Sequence, residues 1–146
     1  MEIRSARRET FAVDPEHLWQ VLSRVDGYRS WWPWLRHLDA RGLVVGDRWQ
    51  AVVQPPLPYR LRFDLLLDRV VPCEHVSVRV EGDIIGAARL DIVATAAGSQ
   101  LDFESRLAPA SATLRTVSRM AAPIADYGHD WVIGTGLRQF RDRALP

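Results

Sequence analysis

The residues of this chain best equipped for chemistry are His129 and Asp130, an imidazole followed directly by a carboxylate near the C-terminus. Adjacent positions on a helix point about 100° apart, so Asp130 is badly placed to orient His129, whereas Asp126, three residues earlier, could. His129 is thus the one candidate catalytic residue, a general base, against the simpler reading of a half-buried structural histidine. His17, His37 and His75 are scattered, without metal-ligand spacing or a neighbouring cysteine, so no metal site is expected. Cys73 is the only cysteine, which rules out an internal disulfide, and no signature of a catalytic thiol surrounds it. All nineteen basic residues are arginine. Without a lysine amine, Schiff-base and pyridoxal-phosphate chemistry are excluded. No Gly-x-Ser-x-Gly, phosphate loop or dinucleotide fingerprint is present, and no cofactor is expected. Asp83, between Gly82 and Ile84, reads most simply as a turn residue, the alternative being a carboxylic acid with a raised pKa buried at a cavity wall.

The densest aromatic feature is Trp31-Trp32-Pro33-Trp34, three of the chain's six tryptophans within four positions. A tryptophan is large and carries one N–H that needs a partner when buried. The cluster could be plain core, or it could line an apolar site. Neighbouring residues point different ways, so Trp31 or Trp34 is expected to meet a ligand rather than all three.

These residues must be positioned by the elements around them. At 146 residues, 47% hydrophobic and 25% charged, the chain suits one domain spanning 1–146 with a substantial core. No apolar run of about 18 residues exists, and the N-terminus lacks a secretory h-region, so a cytoplasmic protein without stable membrane insertion is expected. Net charge is +1, and the groups Arg4, Arg7, Arg8 and Arg138, Arg141, Arg143 are interrupted by acids. Nucleic-acid binding is not expected, because it needs a concentrated basic face.

Residues 2–12 read as a strand with little buried face. Asp14-Pro15 then opens a helix as N-cap and first-turn proline, with Leu18, Trp19, Leu22 and Val25 as its stripe. The tryptophan segment forms a second short helix or tight loop. From about residue 46 the period becomes two: Trp49, Ala51, Val53; then Tyr59, Leu61, Phe63, Leu65, Leu67; then Val76, Val78, Val80; Ile84, Ala88, Leu90, Ile92; and Leu101, Phe103, Leu107. Short turns between these one-sided runs predict an antiparallel meander. On its wet face Glu104 and Arg106 are neighbours able to pair. From Ser111 to about Ala144 the pattern is helical, with a kink or break at Pro123. On a helical wheel Gly128, Ala125, Ala121, Val132 and Thr135 face inward, flanked by Trp131 and by His129. Gly128, Gly134 and Gly136 each weaken a helix, and either close packing on the sheet or room for a ligand could justify them.

Val13-Asp14-Pro15, Val25-Asp26-Gly27-Tyr28 leading into the tryptophans, Gly46-Asp47-Arg48-Trp49 and Gly82-Asp83-Ile84-Ile85-Gly86 together resemble the START-like superfamily of polyketide cyclases/dehydrases and lipid-transfer domains. The resemblance covers essentially the whole chain. It implies an α+β helix-grip fold: a curved antiparallel sheet of six or seven strands around a long C-terminal helix, with two short helices after the first strand. It also implies an apolar internal cavity binding a hydrophobic small molecule for sequestration or transfer, or alternatively a polyketide cyclase/dehydrase-type enzyme. The candidate lining is Trp31, Trp34, Trp49, Tyr59, Phe63, Leu65, Phe103, Tyr127, Trp131 and Thr135. An apolar flank at Leu137 and Phe140 leaves a homodimer open.

Overall fold

The structure, a computed structural model, describes residues 2–56, 59–112, 114–116 and 122–145, those of 122–127 by their backbone alone. Strand β1 (Ile3–Phe11) leads into helix α1 (Pro15–Leu22), whose N-cap Asp14 accepts a hydrogen bond from the His17 amide at 2.8 Å. Proline follows this cap directly, where its missing N–H costs nothing. Leu18, Val21 and Leu22 are the buried residues of α1. A short 3-10 turn (Val25–Gly27) runs into one turn of helix, α2 (Tyr28–Trp31). Six strands follow: β2 (Leu35–Asp39), β3 (Arg48–Val53), β4 (Leu61–Val71), β5 (His75–Gly82), β6 (Ile84–Thr95) and β7 (Gly98–Pro109). The long C-terminal helix α3 (Ala122–Gln139) ends in a wider π turn over Phe140–Ala144.

All seven strands form one antiparallel sheet in the order β1-β7-β6-β5-β4-β3-β2. Curling brings the first strand beside the turn that follows α3. Phe11 packs edge-on against Phe140, and Arg141 lies over the Phe11 ring while bonding Glu9 at 2.8 Å. Gly86 shows how tightly the sheet bends: its φ is +148°, and a Cβ there would lie 1.9 Å from the Arg106 carbonyl oxygen. Only glycine fits. The fold is the α+β helix-grip arrangement of a curled sheet, a long C-terminal helix and two short helices after the first strand.

Several local expectations are corrected. Leu35–Asp39 is a strand that the two-residue period does not reveal, because a register shift between Leu35 and His37 puts Leu35 and Leu38, three positions apart, on the same inner face of a short edge strand. Tyr59 precedes β4 rather than belonging to it. Another register shift, between Leu67 and Arg69, reverses the parity of β4, so that Val70 joins Leu67 on the inner face. Glu104 pairs across the sheet with Arg89 at 2.8 Å, not with Arg106. Phe140 is no exposed flank: it is 3% exposed in the core. Ala121 and the segment just before Pro123 lie outside the described residues.

Candidate functional site on the concave face

Strand pairing sets which side chains share the inner face. Trp49 stands opposite Leu65, and Leu65 opposite Val80; Ala51 stands opposite Phe63. Leu67, Val78, Ala88, Ser105 and Ser5 form one continuous row across five strands, and Val76, Leu90 and Phe103 continue the next. Near α1 this face is fully packed, with Leu101 at 2% and Ile92 at 4% exposure. Farther along, Phe63, Leu65, Val78, Ala88, Leu90, Phe103 and Leu107 all remain partly exposed. Four candidate lining residues, Trp49, Phe63, Leu65 and Phe103, thus share one face, and three of them are incompletely covered. Thr135 is buried on α3, and Trp131 is half-buried beside it.

One polar group of side chains interrupts the apolar surface. His129 Nε2 lies 3.3 Å from Ser105 Oγ, with Ser105 3% exposed. Ser5, directly opposite Ser105, is also buried. The Asp130 carboxylate stands 3.9 Å from His129 Nδ1, beyond hydrogen-bonding reach, as the 100° helical step requires. That carboxylate lies at the same distance from Arg7 Nη2. A hydroxyl and an imidazole beside this partly exposed apolar surface can hold a ligand oxygen or exchange a proton with it. Ser5 escapes sequence reasoning because β1 shows little hydrophobic alternation. Only its register opposite Ser105 reveals it.

The tryptophans clamp the C-terminal helix. Trp32 Nε1 donates to the Gly136 carbonyl at 2.9 Å and Trp34 Nε1 to Gln139 Oε1 at 2.8 Å. The two rings stack at 5.6 Å, and Trp34 meets Trp131 edge-on at 6.5 Å. Gly136 is explained by this approach, since a Cβ there would lie 3.2 Å from Trp34 Cζ2. Trp31 points elsewhere: it is buried among Tyr28, Trp32 and Phe140, and Arg143 donates to its carbonyl at 2.9 Å. Trp49 is buried beside Tyr28, its indole N–H shared between the Gly42 carbonyl and the Asp47 carboxylate.

The remaining candidates are dispersed. Tyr59 is half-buried in the loop before β4, and burial raises its hydroxyl pKa. Burial likewise raises that of Tyr28, whose hydroxyl donates to the Leu22 carbonyl. The Tyr127 side chain lies outside the described residues. Asp83 takes its turn role, its carboxylate accepting from the Arg62 amide at 2.8 Å. Among the described residues no helix is long and apolar enough to cross a membrane.

No family model matches the chain, and no curated protein matches it. Solved structures do. The chain superposes on the di-domain ARO/CYC protein BexL from the BE-7585A biosynthetic pathway with a TM-score of 0.77 at 10% identity, covering 99% of this chain and 50% of that one. Against the Zhui aromatase/cyclase from Streptomyces sp. R1128 the TM-score is 0.65 at 14% identity, over 99% and 98% of the two chains. A protein from Thermus thermophilus gives 0.70 at 12% identity, over 99% and 97%. At such identities the fold is what is shared: the chain has the START-like helix-grip fold, in common with aromatase/cyclases.

Proposed function

We propose that this protein binds a hydrophobic small molecule bearing one oxygen-containing head group, in the trough between the curved sheet and α3. The observation that carries this reading is the set of partly exposed inner side chains, Phe63, Leu65, Val78, Leu90 and Phe103, on the same face as the buried Ser105–His129 contact. Apolar surface left uncovered inside a fold is what an apolar ligand gains by covering, at about 25 cal/mol per Å². The head group would take its hydrogen bonds from Ser105 and His129. Trp34 and Trp131 stand beside this space, whereas Trp31 and Trp49 hold the surrounding wall.

The test is to fill the trough from within. Ala88, in the same row as Ser105, becomes Ala88→Phe. Binding of an environment-sensitive naphthalene sulfonate dye should weaken at least tenfold while the circular dichroism spectrum stays unchanged. Equal dye affinity in the variant and the parent would remove the trough as the site.

A cyclase/dehydrase-type reaction is the second reading, favoured by the Ser105–His129 contact and by the aromatase/cyclases that share the fold. The trough would hold one folded conformer of a reactive chain while His129 exchanged a proton with it. His129→Ala would then lower turnover of a polyketide-like substrate by about 100-fold or more. Unchanged turnover would clear His129 of this role.

A further inference from the structure

A second cluster of reactive side chains lies on the opposite, convex face. His75 and Ser77 alternate on β5, and Asp91 of β6 stands directly opposite His75. The Asp91 carboxylate is 2.7 Å from His75 Nδ1, and His75 Nε2 is in hydrogen-bond contact with Ser77 Oγ. An ionised carboxylate can only accept, so Nδ1 carries the proton and Nε2 presents its lone pair to the serine hydroxyl. This is the nucleophile, base and orienting acid arrangement of acyl-transfer enzymes, assembled from two neighbouring strands.

The surroundings suit that chemistry. The His75 side chain is only 15% exposed, while that of Asp91 is 39% exposed, so the ring is sheltered and the carboxylate stays open to solvent. Behind Asp91 stands Asp102, across β6–β7, whose charge is met by Arg8 at 2.7 Å. The Asp91 carboxylate, in contact with Nδ1, stands where it can hold the ring as Ser77 passes its proton to Nε2. Arg69 and Arg89 flank Ser77 on the strands to either side. Arg89 commits Nε and Nη2 to Glu104, which leaves Nη1 for a developing oxyanion. Ser77 also lines a groove of about 680 Å³ with Asp68, Ala87, Arg89 and Arg106 of this face, the intervening positions Val78, Ala88, Ser105 and Ser5 contributing to its lining as well. The groove has room for a small ester.

We infer that Ser77, His75 and Asp91 form a second, surface site that transfers acyl groups from small carboxylic esters. Ser77 Oγ adds to the ester carbonyl while its proton passes to His75 Nε2. The tetrahedral adduct collapses to an acyl-serine as His75 returns that proton to the leaving alkoxide, releasing an alcohol. Water, deprotonated by His75, then adds to the acyl-serine; collapse releases the carboxylic acid and restores the Ser77 hydroxyl. No oxidant, metal or cofactor is required.

The experiment is labelling of the intact protein with a serine-directed fluorophosphonate, followed by mass spectrometry and peptide mapping, alongside hydrolysis of p-nitrophenyl acetate. One adduct is expected, on Ser77, absent in Ser77→Ala and formed at least 100-fold more slowly in His75→Ala. Asp91→Asn should slow labelling and move its pH profile, because the ring loses the partner that fixes its tautomer. No adduct, an adduct on another serine, or an unchanged rate in His75→Ala overturns the inference. Dye binding in the trough should be unaffected by Ser77→Ala, whose side chain lies on the opposite face, so failure here and failure of the proposed ligand site are separable.

Discussion

The two ends of the concave face are built from the same strands with the same alternation, yet they behave differently. At one end Leu101 and Ile92, with Phe11 on β1, are buried beneath α1 residues Leu18 and Val21. That end is closed further by Tyr28, Trp31 and Phe140, whose rings meet edge-on or tilted at 5.3–5.6 Å. Toward the other end Leu90, Phe103, Leu65 and Phe63 present equally apolar side chains that remain partly exposed. The chemistry of the sheet is uniform; its cover is not. One end therefore stabilises the fold, and the other keeps apolar surface in reserve.

The largest test of this contrast is truncation at matched positions. Leu101→Ala should cost about 3 kcal/mol in denaturant unfolding, and Leu90→Ala roughly half as much, because a partly exposed leucine has less burial to lose. Equal losses would break the comparison.

The helix glycines offer a subtler probe. Gly136→Ala should destabilise by about 1 kcal/mol: its methyl group would press on Trp34, which stacking on Trp32 and the bond to Gln139 hold in place. Gly134→Ala meets only the flexible end of Arg138, at 3.6 Å, and should stabilise by about 0.5–1 kcal/mol through helix propensity. Thermal unfolding of the two variants, opposite in sign, would establish that only Gly136 serves the tryptophan clamp.

The smallest effect concerns acid. Desolvation pushes the Asp47 carboxyl up, but hydrogen bonds from the Arg41 and Gly42 amides and the Trp49 indole outweigh it and hold the pKa below its usual value. A carboxyl depressed in the folded state adds stability that is full above the unfolded pKa and is lost as pH falls through the folded one. Asp47→Asn should therefore flatten the decline of stability on the acid side, below about pH 4. An unchanged slope would mean that this loop does not help to close the end around Trp49.

Much of this was legible in the chain. The Asp14-Pro15 cap, the alternating runs of β3 to β7 and the helical C-terminus are local patterns, and each appears in the folded protein near its expected place. Short-range physics decides them. Strand β2 was illegible because its register shift sets the two inward leucines, Leu35 and Leu38, three positions apart, which breaks the two-residue period. The concave-face candidates Phe63, Leu65 and Phe103 were visible as one-sided hydrophobics, whereas Ser5 gained its place only from the register of β1 on β7. Nothing local marked His75, Ser77 and Asp91 as a set either, since Asp91 reaches His75 across sixteen positions of chain.

Residue types and spacing settled which elements form and which faces are apolar, because those follow from side-chain periodicity and from caps only a few residues long. The tertiary structure decided what lies over each part of the inner face. It turned Trp32 and Trp34 toward α3 and Trp31 into the core, and it set Ser105 against His129. These outcomes depend on strand register and on how the last helix docks. Both are fixed by contacts between residues about a hundred positions apart, such as Trp34 and Gln139, to which no local pattern is sensitive.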